Sequence, residues 1–180
     1  VTTGDTLINK SLLLAGSSTQ KITSFYVTAS NDVIKLKEVV VSGSGLTALS
    51  NVRLTDSVGT VLGTASSLTD SGATFMNLDN AAGSSIAIDK SVTYYVVADI
   101  NSSTNFNGVV VDVAVTGSTI VGSNGGEVAM TGTAVSGASH DVAENTFKVT
   151  LGTPSSKAIA TDAMRFTVNA FCKNSVTLSG

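Results

Sequence analysis

Ser139-His140-Asp141 places the three side-chain types of a hydrolytic triad in a row. A triad works only when nucleophile, base and orienting acid converge in space. Neighbours in an extended chain point to opposite faces, so the tripeptide predicts no catalytic site, and His140 is expected in a solvent-facing loop. No Gly-x-Ser-x-Gly elbow leads into a helix, and Gly43-Ser44-Gly45 reads as part of a hairpin turn. Cys172 is the sole cysteine and His140 the sole histidine. An internal disulfide, a cysteine-rich metal cluster and a His-paired zinc site are thereby excluded.

Oxygen ligands are the other candidate chemistry. Asp70, Asp79, Asp89, Asp99 and Asp112 fall in or near expected turns, and the run from Asp99 through Asn101 to Asn105 offers several oxygens. Calcium takes roughly six to eight such ligands, so Asp99 and Asn101 are the metal candidates. No cofactor is expected, with calcium the one candidate, and if bound it would supply rigidity rather than catalysis. The competing reading is that these residues make Asx turns. Glycosidase carboxylates are defined by separation in space, which a sequence does not give. With no Trp and three Tyr, a sugar-stacking platform is poorly supplied. Gly122-Ser123-Asn124-Gly125-Gly126 has no helix after it to hold phosphate and reads as a hairpin turn. The sequons Asn9-Lys10-Ser11 and Asn101-Ser102-Ser103 make Asn9 and Asn101 glycosylation candidates in a secreted chain.

The elements that must position these residues read as strands. Phe25 and Val27 share one face while Tyr26 and Thr28 share the other. Ile34 and Leu36 alternate with Lys35 and Lys37, and Val109, Val111, Val113 and Val115 line one side. This period of two describes half-buried antiparallel strands. Strands are expected at 7–14, 22–29, 33–42, 50–56, 60–65, 73–78, 85–88, 92–100, 108–116, 127–136, 145–151, 163–170 and 175–179. Turns at Ser42–Gly45, Ser71-Gly72, Asn80–Gly83, Asn107-Gly108 and Asn124–Gly126 separate them. The fold class is all-β, a two-sheet antiparallel β-sandwich, Ig-like or jelly-roll-like.

Composition agrees. Of 180 residues 42% are apolar and 13% charged, while Ser and Thr together number 49 and Gly 17. The apolar share builds a core and argues against disorder. A net charge of -3 with ten scattered basic residues gives no footprint for nucleic acid. No apolar run is long enough for a membrane-spanning helix. No basic segment leading into an apolar stretch opens the chain, so no leader peptide is expected within it.

Phe25-Tyr26-Val27-Thr28-Ala29 is echoed 141 positions on by Phe166-Thr167-Val168-Asn169-Ala170. Residues 1–145 are accordingly read as one sandwich module. Residues 146–180 then begin an incomplete second module, or supply terminal strands that pack on a neighbour. An incomplete module exposes edges, and residues 1–14 form a candidate donor strand to cover them in another copy. Leu7, Ile8, Leu12, Leu14, Phe166 and Val168 are the expected subunit-interface residues.

Three segments carry a resemblance. They are Ser17–Ile22 leading into Phe25–Ala29, then Leu46–Asp56, then Val92–Ile100. Across residues 15–115 the chain resembles the repeated β-sandwich modules of large secreted bacterial surface proteins, surface-layer-like or filament-forming. The resemblance implies a structural, non-enzymatic role at the cell surface. The expected function is a self-assembling extracellular subunit that polymerises with copies of itself through strand complementation. The alternative is an adhesin or carbohydrate-binding module of a larger surface protein.

Overall fold

β-Branched and aromatic residues alternating with hydroxyls favour a pleated, half-buried backbone, and the computed structural model of this chain is built from such strands. It describes residues 8–106, 108–128 and 135–143, and the backbone of 2–4, 149–150 and 167–168. One sheet runs in the order β1 (Thr2–Gly4), β3 (Gln20–Thr28), β10 (Ser91–Ile100), β5 (Leu49–Asp56), β6 (Val61–Thr64). The second runs β2 (Leu12–Leu14), β13 (His140–Ala143), β11 (Val110–Gly122), β4 (Ile34–Ser44), β8 (Gly72–Phe75), β7 (Ser67–Leu68). To this second sheet β9 (Ser85–Ile86) adds on β4 and β12 (Glu127–Val128) on β11. Pairing is antiparallel in both sheets save for β2, which lies parallel to β13. Separately, β14 (Val149–Thr150) pairs with β15 (Thr167–Val168). The expected two-sheet sandwich is therefore what forms, and no described helix is long and apolar enough to cross a membrane.

The inward stripes are those the alternation marks. Phe25, Val27, Ile34, Leu36, Val111 and Val113 are all buried between the sheets. Phe25 packs against Tyr94 with ring centroids 5.6 Å apart. The Tyr94 hydroxyl donates to the Gly83 carbonyl at 3.0 Å. Burial, with the charge of Asp56 adding to it, pushes that phenol up to about 12, so it remains a donor.

The structure corrects two boundaries. Ser42–Gly45 is not a hairpin: β4 continues to Ser44, and the turn is made by Gly45 at φ +73°. Gly43 pairs with Val113, where a Cβ would overlap the Asp112 carbonyl oxygen. The glycine is thus required by the approach of two backbones. β11 does not stop at residue 116, because a register shift between Val115 and Gly117 absorbs the small residues and the ladder resumes to Gly122. Of the expected strand 127–136, β12 and a bridge from Val135 to Val115 are described, and 129–134 lie outside the described residues. Of the strands expected at 145–151, 163–170 and 175–179, β14 and β15 alone fall within the described residues. The proposed module boundary at 146 lies outside them.

Gly43→Ala is expected to destabilise the chain by about 1–3 kcal/mol or more through backbone overlap. Gly117→Ala, whose new methyl meets Val40 at an ordinary 3.7 Å, should stay within about 0.5 kcal/mol of the parent. Urea denaturation of the two variants measures the contrast.

Candidate functional site

A sandwich has two lateral seams, where the edges of its sheets meet. At one, the chain steps between sheets within two residues: the Ala65 N–H donates to the Val52 carbonyl on β5, and the Ser66 N–H to the Thr74 carbonyl on β8. At the other, β1 edges the first sheet and β2 edges the second. The step back to the first sheet is equally short: the Ala15 N–H donates to Ala143 on β13 and the Gly16 N–H to Ile100 on β10. Gly16, at φ +78°, makes the bend.

This N-terminal seam holds the polar cluster that sequence reasoning missed. His140 does not face solvent. It is 0% exposed, because β13 turns it between the sheets toward β3. Its Nδ1 accepts the Ser11 N–H at 3.2 Å and lies 2.9 Å from the Ser11 hydroxyl, while Nε2 stands 2.7 Å from the Ile22 carbonyl. The ring thus bridges the approach to β2, β13 and β3. Ser139 donates instead to Asp112 at 2.8 Å, and Asp141 pairs with Lys10 at 3.0 Å, so the three neighbours have separate partners. A buried polar ring amid apolar neighbours has no signature in one sequence.

The expected interface residues divide. On β2, Leu12 is exposed and Leu14 half-buried, with Ile8 half-buried upstream. Leu13, not among those expected, enters the core and is 2% exposed. The expectation that residues 1–14 reach into another copy meets a different arrangement here, since β1 lies on β3 and β2 on β13 of the same chain. Leu7 and Phe166 lie outside the described residues, and Val168 is described through its backbone pairing with Val149. Asn9 is exposed beside this seam.

Asp99 and Asn101 sit together where β10 ends, but each has work within the protein. Asp99 accepts from the Thr19 N–H (2.8 Å), Asn51 Nδ2 (2.9 Å) and Arg53 Nη2 (3.0 Å). Thr19 and Asn51 hold the left-handed backbone, at φ +56° and +49°, that presents these donors. The Thr19 N–H first, then Asn51 and Arg53, hold the Asp99 carboxyl below the usual range against the opposing effect of burial. Asn101 Nδ2 donates to the Thr47 carbonyl at 2.7 Å. A calcium ion on Asp99 would have to displace a guanidinium, and among the described residues no group of three or more His, Cys, Asp or Glu could hold a metal.

A shallow groove of about 310 Å³ lies on the outer face of the first sheet, lined by Lys21, Arg53, Thr55, Val61, Val97 and the turn that begins at Asp56. The Lys21 ammonium rests 3.9 Å from the Tyr95 ring centre.

No family model matches this chain, and no curated protein matches its sequence. Among solved structures, it is similar to the seventh ScaB type I cohesin of Pseudobacteroides cellulosolvens, at 16% identity and TM-score 0.46, covering 81% of this chain and 96% of that one. A non-cellulosomal cohesin from Archaeoglobus fulgidus gives 13% identity and 0.40, with 79% and 91% covered. Self-complemented MyfA, the major subunit of Myf fimbriae from Yersinia enterocolitica, gives 9% and 0.30, with 79% and 98% covered. These likenesses are shallow. The fold rests on the strand ladders described above.

Two outcomes are expected at Asp99. A carboxylate held low contributes stability that is full above the ordinary carboxylate range and is lost as pH falls through the lowered value. Asp99→Asn should therefore melt below the parent at neutral pH, with the gap closing as pH falls below the ordinary carboxylate range. Because Arg53 already opposes the charge, millimolar calcium or excess chelator should leave the parent's melting temperature unchanged. A rise of several degrees with calcium that Asp99→Asn abolishes would establish a cation site there.

Proposed function

We propose that the chain is a structural subunit of an extracellular assembly, a filament, pilus-like fibre or surface layer, in which the N-terminal segment of one copy completes the sandwich of the next. The observation that carries this reading is the parallel ladder of β2 on β13, joining Leu12, Leu13 and Leu14 to Asp141, Val142 and Ala143. The strand and its seat come from opposite ends of the module. A strand tethered at one side, seated on residues far along the chain, can be replaced by the same strand from a neighbour, because ladder and core pocket are identical either way. β1 occupies the edge of the other sheet, so β1 and β2 each cap one sheet.

Removing that cap leaves unpaired backbone on β3 and β13 and empties the place of Leu13. Such edges pair with whatever strand is offered. Donation from copy to copy is heterologous and does not close on itself, so it propagates. The sparse charge, 13% of residues, lets copies abut with little repulsion. The groove over Lys21 and Arg53 favours one second reading, a binding module within a larger surface protein. Negative-stain microscopy separates the two, fibres or sheets against discrete particles.

A chain lacking residues 1–14 should fail to assemble and should regain stability when the peptide of residues 1–14 is added. Normal assembly and stability of the truncated chain would show that the segment donates nothing.

A further inference from the structure

Resting on that reading, we propose that His140 is the lock of the N-terminal strand, and that protonation of its ring releases the strand for exchange. The geometry fixes how the lock is made. The Ser11 N–H can only donate, so Nδ1, 3.2 Å away, must offer its lone pair. The ring proton then sits on Nε2 and is donated to the Ile22 carbonyl at 2.7 Å. This tautomer is assigned from the hydrogen-bond pattern. The neutral imidazole thereby accepts from the residue that leads into β2 and donates to β3, from a position on β13 with 0% exposure.

A second ring proton reverses one of these contacts. Nδ1 becomes a donor facing the donor N–H of Ser11. The Ser11 hydroxyl, 2.9 Å away, can turn its oxygen to the new N–H, but the backbone N–H is left without its acceptor. The positive charge is enclosed as well. Charged groups on the surrounding elements are occupied elsewhere: Asp141 with Lys10, Asp112 with Ser139, and Lys21 over Tyr95. Among the described residues, the ring's hydrogen-bond partners are Ser11 and Ile22. The strand keeps its three-residue ladder, the flanking bonds from the Asp141 N–H to Ser11 and from the Ala15 N–H to Ala143, the burial of Leu13 and the Lys10–Asp141 pair. Release lets the ring and the Ser11 N–H reach water. The second proton costs the Ser11 N–H its acceptor only while the strand is seated, so release is favoured as pH falls.

The test uses the full 180-residue chain. Hydrogen exchange at the amides of residues 12–14 and 141–143, corrected for intrinsic rates, is compared at about pH 7.5 and about pH 5.5. Protection should fall about tenfold or more at the lower pH, the scale of one lost buried hydrogen bond, while β4 and β11 keep theirs. His140→Gln retains a donor and an acceptor without titrating, and its profile should be flat. Ser11→Ala removes the oxygen that can face the new N–H and should open further in acid. Undiminished protection in the parent overturns the lock, as does a His140→Gln profile that matches the parent's. If His140→Gln does not fold, Ser11→Ala decides, and acid behaviour equal to the parent's overturns the lock. Uptake of a fluorescent peptide of residues 1–14 separates lock from exchange. Faster uptake at low pH supports both, and equal uptake at the two pH values overturns the lock while exchange stands. Opening in acid without uptake at either pH supports the lock and overturns strand exchange.

Discussion

The edges of the two sheets set the terms for everything else in this chain. Backbone N–H and C=O groups along an edge must be paired, covered or hydrated. The two seams meet this demand in unequal ways. At Ala65 and Ser66 the chain passes from β6 to β7 and bonds one sheet with each residue. That closure is local in sequence and costs little chain entropy. At the other seam β2 meets β13, and Ser11 bonds a residue 129 positions away. A contact so distant forms late and is held by few residues, since β2 contributes three. The N-terminal seam is therefore closed only through contacts far apart along the chain.

Polar side chains gather where regular pairing fails. Near residues 97–99 both ladders of β10 shift register, and Asp99 there collects Thr19, Asn51 and Arg53. Thr19 is β-branched and holds a left-handed backbone, a conformation that persists only when its surroundings determine it. Its bond to Asp99 is part of that determination. His140 does similar work between sheets, linking β13 to the Ile22 carbonyl where β3 is itself irregular. Both knots tie strands from different parts of the chain, and neither gathers the groups a reaction would need.

Much of this was legible in the residues. The stripes of Phe25 and Val27, Ile34 and Leu36, and Val111 and Val113 fix which face is buried, and they are buried. What escaped depends on distance along the chain. Gly43 reads as a turn residue because glycine usually marks one; here it lets β4 and β11 approach. The continuation of β11 past Gly117 needs a bulge, which local pattern does not announce. Leu12-Leu13-Leu14 carries no sign that its middle residue faces inward or that its partner runs parallel. His140 follows Ser139 and precedes Asp141, polar neighbours that suggest a surface loop, yet strand alternation sends the ring inward. Asp99 and Asn101 stand together at the end of β10, and Arg53 reaches Asp99 through register, which composition does not encode.

Ion pairs add little to the choice between a home strand and a borrowed one. Lys10 and Asp141 meet at the seam with 63% and 46% of their side-chain surfaces exposed, where such a pair contributes about 1 kcal/mol at most. A borrowed N-terminal segment would bring the same Lys10 in any case. The discriminating terms are the burial of Leu13, the ladder it rides on and the imidazole that accepts from Ser11. Leucine burial and ladder bonds respond weakly to pH, salt or redox state, so a seam built from them alone would be either closed or open under all ordinary conditions. The ring at position 140 is the element of this seam whose hydrogen-bonding character changes with its surroundings. Placing the chain's sole histidine there, fully enclosed, sets a ring whose donor and acceptor roles a proton reverses against the strand that the proposed exchange would trade between copies.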